Sequence, residues 1–398
     1  MSPSILQLQS VGIQDVYLTR NPQINIFKYV YYRYVNFATD VVRLTLTDVA
    51  TFNRRCSCII PKRGHLLSKL YLHIKLPSLP LTSGSYVSWS ETIGYAIFSE
   101  PIELEIGGVV VDRLYPQFLD IWDDLSNANK QAGRNFMLNK SDYYITCYRN
   151  ATRPYDLIIP LEFWFTKQYS SALPLLSMYN QDIRLNFKFR PFDQVVNYDG
   201  AAPDPVSIID SHVYAEYIFL DDTIVETFQR QKHTYIIEQV QYNGDEIIPA
   251  NTTVYNTSLK YNHPVKELVF ACAEKRAVSL NNYFTYCNND TDSSIISEAA
   301  LLLDGKQRFE FLPEFYYRSI FPDCVHSNIP MKYIYTMPFS LRPEDNQPTG
   351  SINMSRFNDV VLSLKLPSGN RECYLYVYAI NYNILTIENG NVTFEWAT

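Results

Sequence analysis

Charge is scarce in this chain of 398 residues: Asp, Glu, Lys and Arg together make up 19%, against about 25% in an average domain. Hydrophobic residues stand at 46%. That pairing excludes wholesale disorder, which needs low hydrophobicity and high charge. Glycine is also scarce, with 13 residues, which excludes collagen-like and Gly-rich low-complexity classes. No segment offers the ~18 uninterrupted apolar residues of a membrane span. The opening Met1-Ser2-Pro3-Ser4-Ile5 lacks the charged start and apolar stretch of a secretion signal. Positive charge is in deficit, 34 Lys and Arg against 41 Asp and Glu, a net charge of −7. Proteins that wrap nucleic acid neutralise phosphates with cations, so direct nucleic-acid binding is not expected.

Cysteine is infrequent and irregular: Cys56, Cys58, Cys147, Cys272, Cys287, Cys324 and Cys373, an odd number with no CxxC pair. This reads as reduced intracellular thiols rather than a disulfide framework. A chain of this length can bury a large core without such staples.

What is abundant is tyrosine, 32 residues, within an aromatic share of 15%. Aromatic and β-branched residues favour strands. Tyrosine also suits protein contact surfaces, because it joins apolar area to a polar tip. Strand patterns dominate. Ile183, Leu185, Phe187 and Phe189 alternate with Arg184, Asn186, Lys188 and Arg190, the period of a half-buried strand. Lys69 to Leu76 repeats the pattern before Pro77, as do Leu362, Leu364 and Leu366 before Pro367. Tyr374 to Ala379 alternates tyrosine with aliphatic residues. The best helical pattern runs from Pro116 to Asn127, and a short polar one from Thr223 to Gln231 reads as a connector. Many short strands separated by turns indicate a sandwich or barrel.

The chain also repeats itself in order. His65 to Leu72 matches His263 to Phe270 at an offset of 198. Leu104-Glu105-Ile106-Gly107-Gly108 matches Leu301-Leu302-Leu303-Asp304-Gly305 at 197, and each is followed by a Pro-x-Phe at the same spacing. Leu185 to Phe189 matches Leu362 to Leu366 at 177. Gly-Gly and Asp-Gly both fit two-residue hairpin turns. A duplicated β-domain with its joint near residues 223–231 accounts for these matches.

No set of residues carries chemistry. The histidines at 65, 73, 212, 233, 263 and 326 form no zinc motif. Cys56 and Cys58 read as strand or loop cysteines. Asn288 to Ser293 resembles a calcium loop faintly, but it lacks the sixth-position Gly, and Glu298 falls one place short of the twelfth. Asp120, Asp123 and Asp124 could in principle pair as glycosidase acids, but read as a solvated helix face. Arg54, Arg55, Lys62 and Arg63 form the one basic cluster, a solvated loop or subunit contact rather than a phosphate site. The sequons at Asn139, Asn150, Asn251, Asn256, Asn289, Asn353 and Asn391 are expected to go unglycosylated. No catalytic, cofactor-binding or metal-binding residue is therefore assigned.

Several longer strings do resemble a known family. Val16-Tyr17-Leu18-Thr19-Arg20-Asn21-Pro22-Gln23-Ile24, with Phe27-Lys28 and Tyr34-Val35-Asn36-Phe37-Ala38, is similar to the opening of major capsid proteins of nucleocytoplasmic large DNA viruses. The same holds for Glu103 to Gly108 with Asp112-Arg113 and Ile121-Trp122. It holds also for Ile159 to Phe165, Ala172 to Leu175, Tyr235 to Val240 and Asn262 to Leu268. Gln347 to Arg356 and Tyr378 to Leu385 complete the series. The strings run in family order over nearly the whole chain. Two departures are Arg20, where glycine is usual, and the end from Glu388 to Thr398, which lacks a Gly-rich tail.

The resemblance implies an all-β chain of two tandem eight-stranded jelly rolls (a double jelly roll), with few short helices in loops. It implies an N-terminal arm at 1–23, jelly rolls at 24–222 and 231–398, and a connector at 223–230. The implied product is a structural virion protein, made in the host cytoplasm. Homotrimers would form pseudo-hexagonal capsomers of an icosahedral capsid, meeting neighbouring capsomers and minor capsid and penton proteins. The apolar arm residues Ile5, Leu6, Leu8, Val11, Ile13, Val16 and Leu18 are expected to link the capsomer base to neighbours, unless they cover the chain's own first domain. A capsid-related scaffold or minor paralogue, and a carbohydrate-active β-sandwich, are the alternatives.

Overall fold

The computed structural model describes residues 3–10, 12–23, 27, 30–81, 83–127, 130–140 and 151–396. Ile24, Cys147 and Asn150 lie outside these. The chain forms two compact units, Met1–Phe37 and Ala38–Thr398. In the first, short helices span Pro3–Gln9 and Val16–Thr19. The first described strand starts at Phe37.

Among the described residues, sixteen principal strands build the sheets. The first eight are β1 Phe37–Thr45, β2 Arg55–Ile60, β3 Leu66–Leu76, β4 Ile102–Ile106, β5 Val109–Leu114, β6 Tyr155–Pro160, β7 Ile183–Lys188 and β8 Asp210–Leu220. They form two sheets, ordered β1-β8-β3-β6 and β2-β7-β4-β5. The second eight are β9 His233–Tyr242, β10 Val254–Ser258, β11 Pro264–Glu274, β12 Glu298–Leu303, β13 Lys306–Pro313, β14 Ile334–Pro338, β15 Val360–Lys365 and β16 Cys373–Glu388. Their sheets are ordered β9-β16-β11-β14 and β10-β15-β12-β13. The wiring is the same in both sets: first, eighth, third and sixth strands in one sheet; second, seventh, fourth and fifth in the other. This is the jelly roll, repeated.

The sequence matches fall on equivalent elements. The offset of 198 aligns the third strands β3 and β11, and the offset of 177 the seventh strands β7 and β15. Gly107-Gly108 joins β4 to β5, and Asp304-Gly305 joins β12 to β13. All four residues take positive φ, +60° and +85° in the first turn, +46° and +77° in the second. That is the backbone a two-residue hairpin of the right twist demands. Alternation also predicts β7 correctly, with Ile183, Leu185, Phe187 and Phe189 buried.

Helix α1 spans Pro116–Ser126, with proline at its first turn, and α2 spans Gln131–Leu138. Both lie in the connection between β5 and β6. Helix α3, Asp222–Arg230, joins the two sets of strands, where the polar pattern places a connector.

Among the described residues two large hydrophobic cores result, beside a small cluster of Leu66, Ala172 and Ile218. One fills the second jelly roll, with Leu268, Phe270, Cys272, Leu375, Val377 and Ala379. The other fills the first jelly roll and continues into the second through Val269, Ala271, Ala273, Tyr376, Tyr378 and Ile380. Successive residues of β11 and β16 thus enter different cores, because side chains alternate across a strand. The β9-β16-β11-β14 sheet has one face in its own sandwich and the other against the first jelly roll. Much of the tyrosine excess lies inside: Tyr95, Tyr217, Tyr317, Tyr335, Tyr376 and Tyr378 are among the largest fully buried side chains.

Candidate assembly surface

The seam between the jelly rolls makes them one body. Its apolar part is an aromatic row. Tyr115 meets Tyr242 with ring centroids 5.1 Å apart, Phe118 meets Tyr378 at 5.5 Å, and Trp122 meets His326 edge-on at 5.8 Å. Arg190 stacks over Tyr283, 3.9 Å from the ring centroid. Polar bonds cross as well: Gln239 Nε2 donates to the Val111 carbonyl at 2.6 Å, and Asn328 Nδ2 to the Asp124 carbonyl at 2.7 Å.

Two buried ionic clusters complete the seam, and the first corrects the reading of the α1 acids as a solvated face. Asp120, Asp123 and Asp124 are buried. Helix α1 is covered on both sides, so its acidic stripe faces cations rather than water. Lys332 Nζ lies 2.8 Å from Asp120 Oδ2, and Lys140 Nζ lies 3.4 Å from Asp120 Oδ1 and pairs with Asp124. Arg134 bridges Asp123 and Glu162. Burial alone would raise the Asp120 carboxyl, but Lys140 and Lys332 hold it below its ordinary value. In the second cluster Glu238 pairs with both Lys167 and Lys266. Burial pulls Lys266 down to about 8 despite that carboxylate, which it shares with Lys167. These acids are matched by cations.

The other residues singled out by sequence disperse. Cys56 and Cys58 are buried inward-facing positions of β2, and burial pushes the Cys58 thiol up to about 11. Both are free thiols, as are Cys272, Cys287, Cys324 and Cys373. In the basic cluster Arg54 faces Asp48 at 3.7 Å and Arg55 faces Glu100 at 3.2 Å, while Lys62 and Arg63 are exposed. The Asn288–Ser293 loop is closed by Asn288 Oδ1, which accepts from the Asp290 and Thr291 amides. Asp290 pairs with Arg371, so its carboxylate turns to an arginine.

The histidines separate too. His65 Nδ1 accepts from the Leu220 amide at 2.8 Å, and His233 Nε2 meets the Phe228 carbonyl at 2.6 Å. His263 stacks on Trp396. His326 lies between Glu267, 2.8 Å away, and Glu344, 3.1 Å away. Burial opposes its charged form, but the two carboxylates outweigh burial and raise it to about 9. His73 and His212 adjoin each other and Asp210, a grouping that linear spacing hid. The signal present was Asp210-Ser211-His212, whose first and third residues share a strand face. Burial, His73 and Arg43 lower His212.

On the outside, exposed apolar side chains recur along 315–341, at Phe315, Ile320, Ile329, Met331 and Leu341. Ile236, Ile247 and Val254 of the second jelly roll are also exposed. Among residues 1–37, Leu8, Ile13, Leu18, Phe27, Tyr32 and Tyr34 are exposed by more than three-quarters.

Comparison with known proteins decides the family. The family described as "Major capsid protein N-terminus" matches residues 25–221, and that described as "Large eukaryotic DNA virus major capsid protein" matches residues 225–393. The chain belongs to the major capsid protein family of large eukaryotic DNA viruses. The major capsid protein of Pyramimonas orientalis virus is 29% identical over 98% of both chains. That of Paramecium bursaria Chlorella virus 1 is 28% identical, again over 98% of both. Capsid protein 1 of Acanthamoeba polyphaga mimivirus is 33% identical over 67% of this chain and 48% of its own. In fold, the chain matches the quasi-atomic model of the PBCV-1 virus capsid with a TM-score of 0.82, at 24% identity over 94% of this chain and 100% of that one. The Faustovirus major capsid protein matches with 0.75, at 12% identity over 97% and 96%. As a member of this family the chain is a structural protein of the virion capsid and not an enzyme. It assembles with other capsomers into the shell. Among the described residues no helix is long and apolar enough to cross a membrane.

Proposed function

We propose that three copies of this capsid protein associate as a homotrimer, and that the trimer is the pseudo-hexagonal unit tiling the shell. The observation that carries the reading is the repeated jelly-roll wiring within one chain, with the two sandwiches fused by a continuous core. Three rigid pairs supply six similar walls around a three-fold axis, each contact head-to-tail. Residues 24–222 and 231–398 are the two jelly rolls of this unit, and 223–230 the connector. The family matches, broken between residues 221 and 225, support that division.

Residues 1–23 act as an arm that engages inner-layer minor capsid proteins or a neighbouring trimer. Its support is the exposure of Leu8, Ile13 and Leu18, since exposed apolar groupings mark contact sites. Penton proteins meet the same units at the shell's vertices. The shell role is favoured over the paralogue role by relatives that carry the main capsid name and match over 98% of both chains. The mimivirus relative named "Probable capsid protein 4", 25% identical, keeps a paralogue as the second reading.

Light scattering on the purified chain at micromolar concentration tests the trimer. Three chain masses are expected, and a monomer overturns the proposal. Abundance in purified particles separates a shell protein from a minor paralogue.

A further inference from the structure

On the outward face of the β1-β8-β3-β6 sheet, three side chains with metal-binding atoms converge. His73 of β3 and His212 of β8 are direct cross-strand partners, with ring centroids 4.5 Å apart. Asp210 precedes His212 by two residues and so shares its face. A ligand-capable atom of each lies within 4.8 Å of the others. His212 is 3% exposed. Both its ring nitrogens, and Nδ1 of His73, are buried without a hydrogen-bond partner. The approach of His212 Nδ1 to Asp210 Oδ2, at 3.4 Å, lies outside hydrogen-bond geometry. Buried polar atoms normally find partners, and leaving one unpaired is costly. Here three such atoms sit on two touching rings.

The surroundings orient this group. Asp156 Oδ1 lies 3.0 Å from His73 Nε2. A proton on Nε2 then leaves the buried, unpartnered Nδ1 with its lone pair free to accept a cation. A carboxylate behind an imidazole is the usual outer partner of a metal-bound histidine. Arg43 of β1 donates to Asp210 Oδ2 at 2.8 Å and fixes that carboxylate.

We propose that His73, His212 and Asp210 form a binding site for a divalent transition-metal ion of the Zn²⁺ class. Two imidazoles and one carboxylate suit Zn²⁺, Co²⁺, Ni²⁺ or Cu²⁺, whereas Ca²⁺ and Mg²⁺ take oxygen ligands. Three protein donors leave room for water at the remaining position. The side chain of Asp210 is 42% exposed and gives the ion a way in. The charge of Arg43 works against the cation, so this site is weaker than a closed four-ligand one. The bound ion ties β8 to β3 and, through Arg43 and Asp210, to β1. It stabilises the native sheet by mass action.

The test uses the full chain, stripped with chelator and titrated with Zn²⁺ by calorimetry and with Co²⁺ by visible absorption. One ion per chain, a Co²⁺ d–d band and a higher Tm with Zn²⁺ are expected. His212→Asn should weaken Zn²⁺ binding at least tenfold and abolish the band, while the metal-free Tm stays within a few degrees. If that variant unfolds, Asp210→Asn, at a partly exposed position, decides by the same readouts. Failure to bind one Zn²⁺ per chain at micromolar ion, or binding unchanged in the folded variants, overturns the proposal.

Discussion

Lys332 sets its ammonium 2.8 Å from Asp120 Oδ2, across 212 positions of sequence. Asp120 sits on the helix that the first jelly roll sends into the seam, and Lys332 lies two residues before β14 of the second. The pair therefore records how the two sandwiches dock. Asp120 is fully buried, and breaking a buried pair strands the remaining charges. Asp120→Ala should destabilise the chain by about 3–5 kcal/mol, read from the denaturant midpoint. A loss under about 1 kcal/mol would mean that Lys140 and Lys332 find water or other acids.

His326 should make stability depend on pH. Its folded-state value, about 9, exceeds the ~6.5 of an unfolded histidine. The stabilisation is thus complete below about 6.5 and lost as pH rises through about 9. Glu344 acts oppositely: burial would raise it, but His326 holds it below its ordinary value. Its share is present above that ordinary value and fades as pH falls through the lowered one. His326→Gln should cost on the order of 2–3 kcal/mol near pH 6.5 and little near pH 10. Equal loss at both pH values would show that the ring serves by packing alone, against Trp122.

The two hairpin turns should respond alike. Gly108 and Gly305 have positive φ and open space where a Cβ would stand, so only backbone strain opposes a side chain. Gly108→Ala and Gly305→Ala should each cost about 1–2 kcal/mol, measured by thermal unfolding. A clearly different cost in one turn would break their equivalence.

Removal of residues 1–20 should leave folding and trimer formation nearly intact while impairing shell assembly. Circular dichroism and light scattering read the first two, and electron microscopy of assembled particles reads the third. A truncated chain that fails to fold or to trimerise would assign the arm to the core.

Sequence by itself determined the strands and their duplication. Alternation along Ile183 to Phe189 reports which side is apolar, and a strand's side chains alternate whatever its neighbours are. Gly107-Gly108 and Asp304-Gly305 named their turns because few residues accept positive φ. What covers each face was left to tertiary structure. Tyr374 to Ala379 reads as a strand with an aliphatic side and a tyrosine side. Only packing of the β9-β16-β11-β14 sheet against the first jelly roll buries Tyr376 and Tyr378 as deeply as Leu375 and Ala379. The same docking turned the α1 acids from an expected solvated face into buried ion pairs, because Lys332 arrives from the other jelly roll. It was strand pairing across 139 residues that set His212 beside His73. Local pattern encodes which side of an element is apolar or charged. The long-range fold decides what meets that side, because distant segments are brought together only when the sheets close and pack.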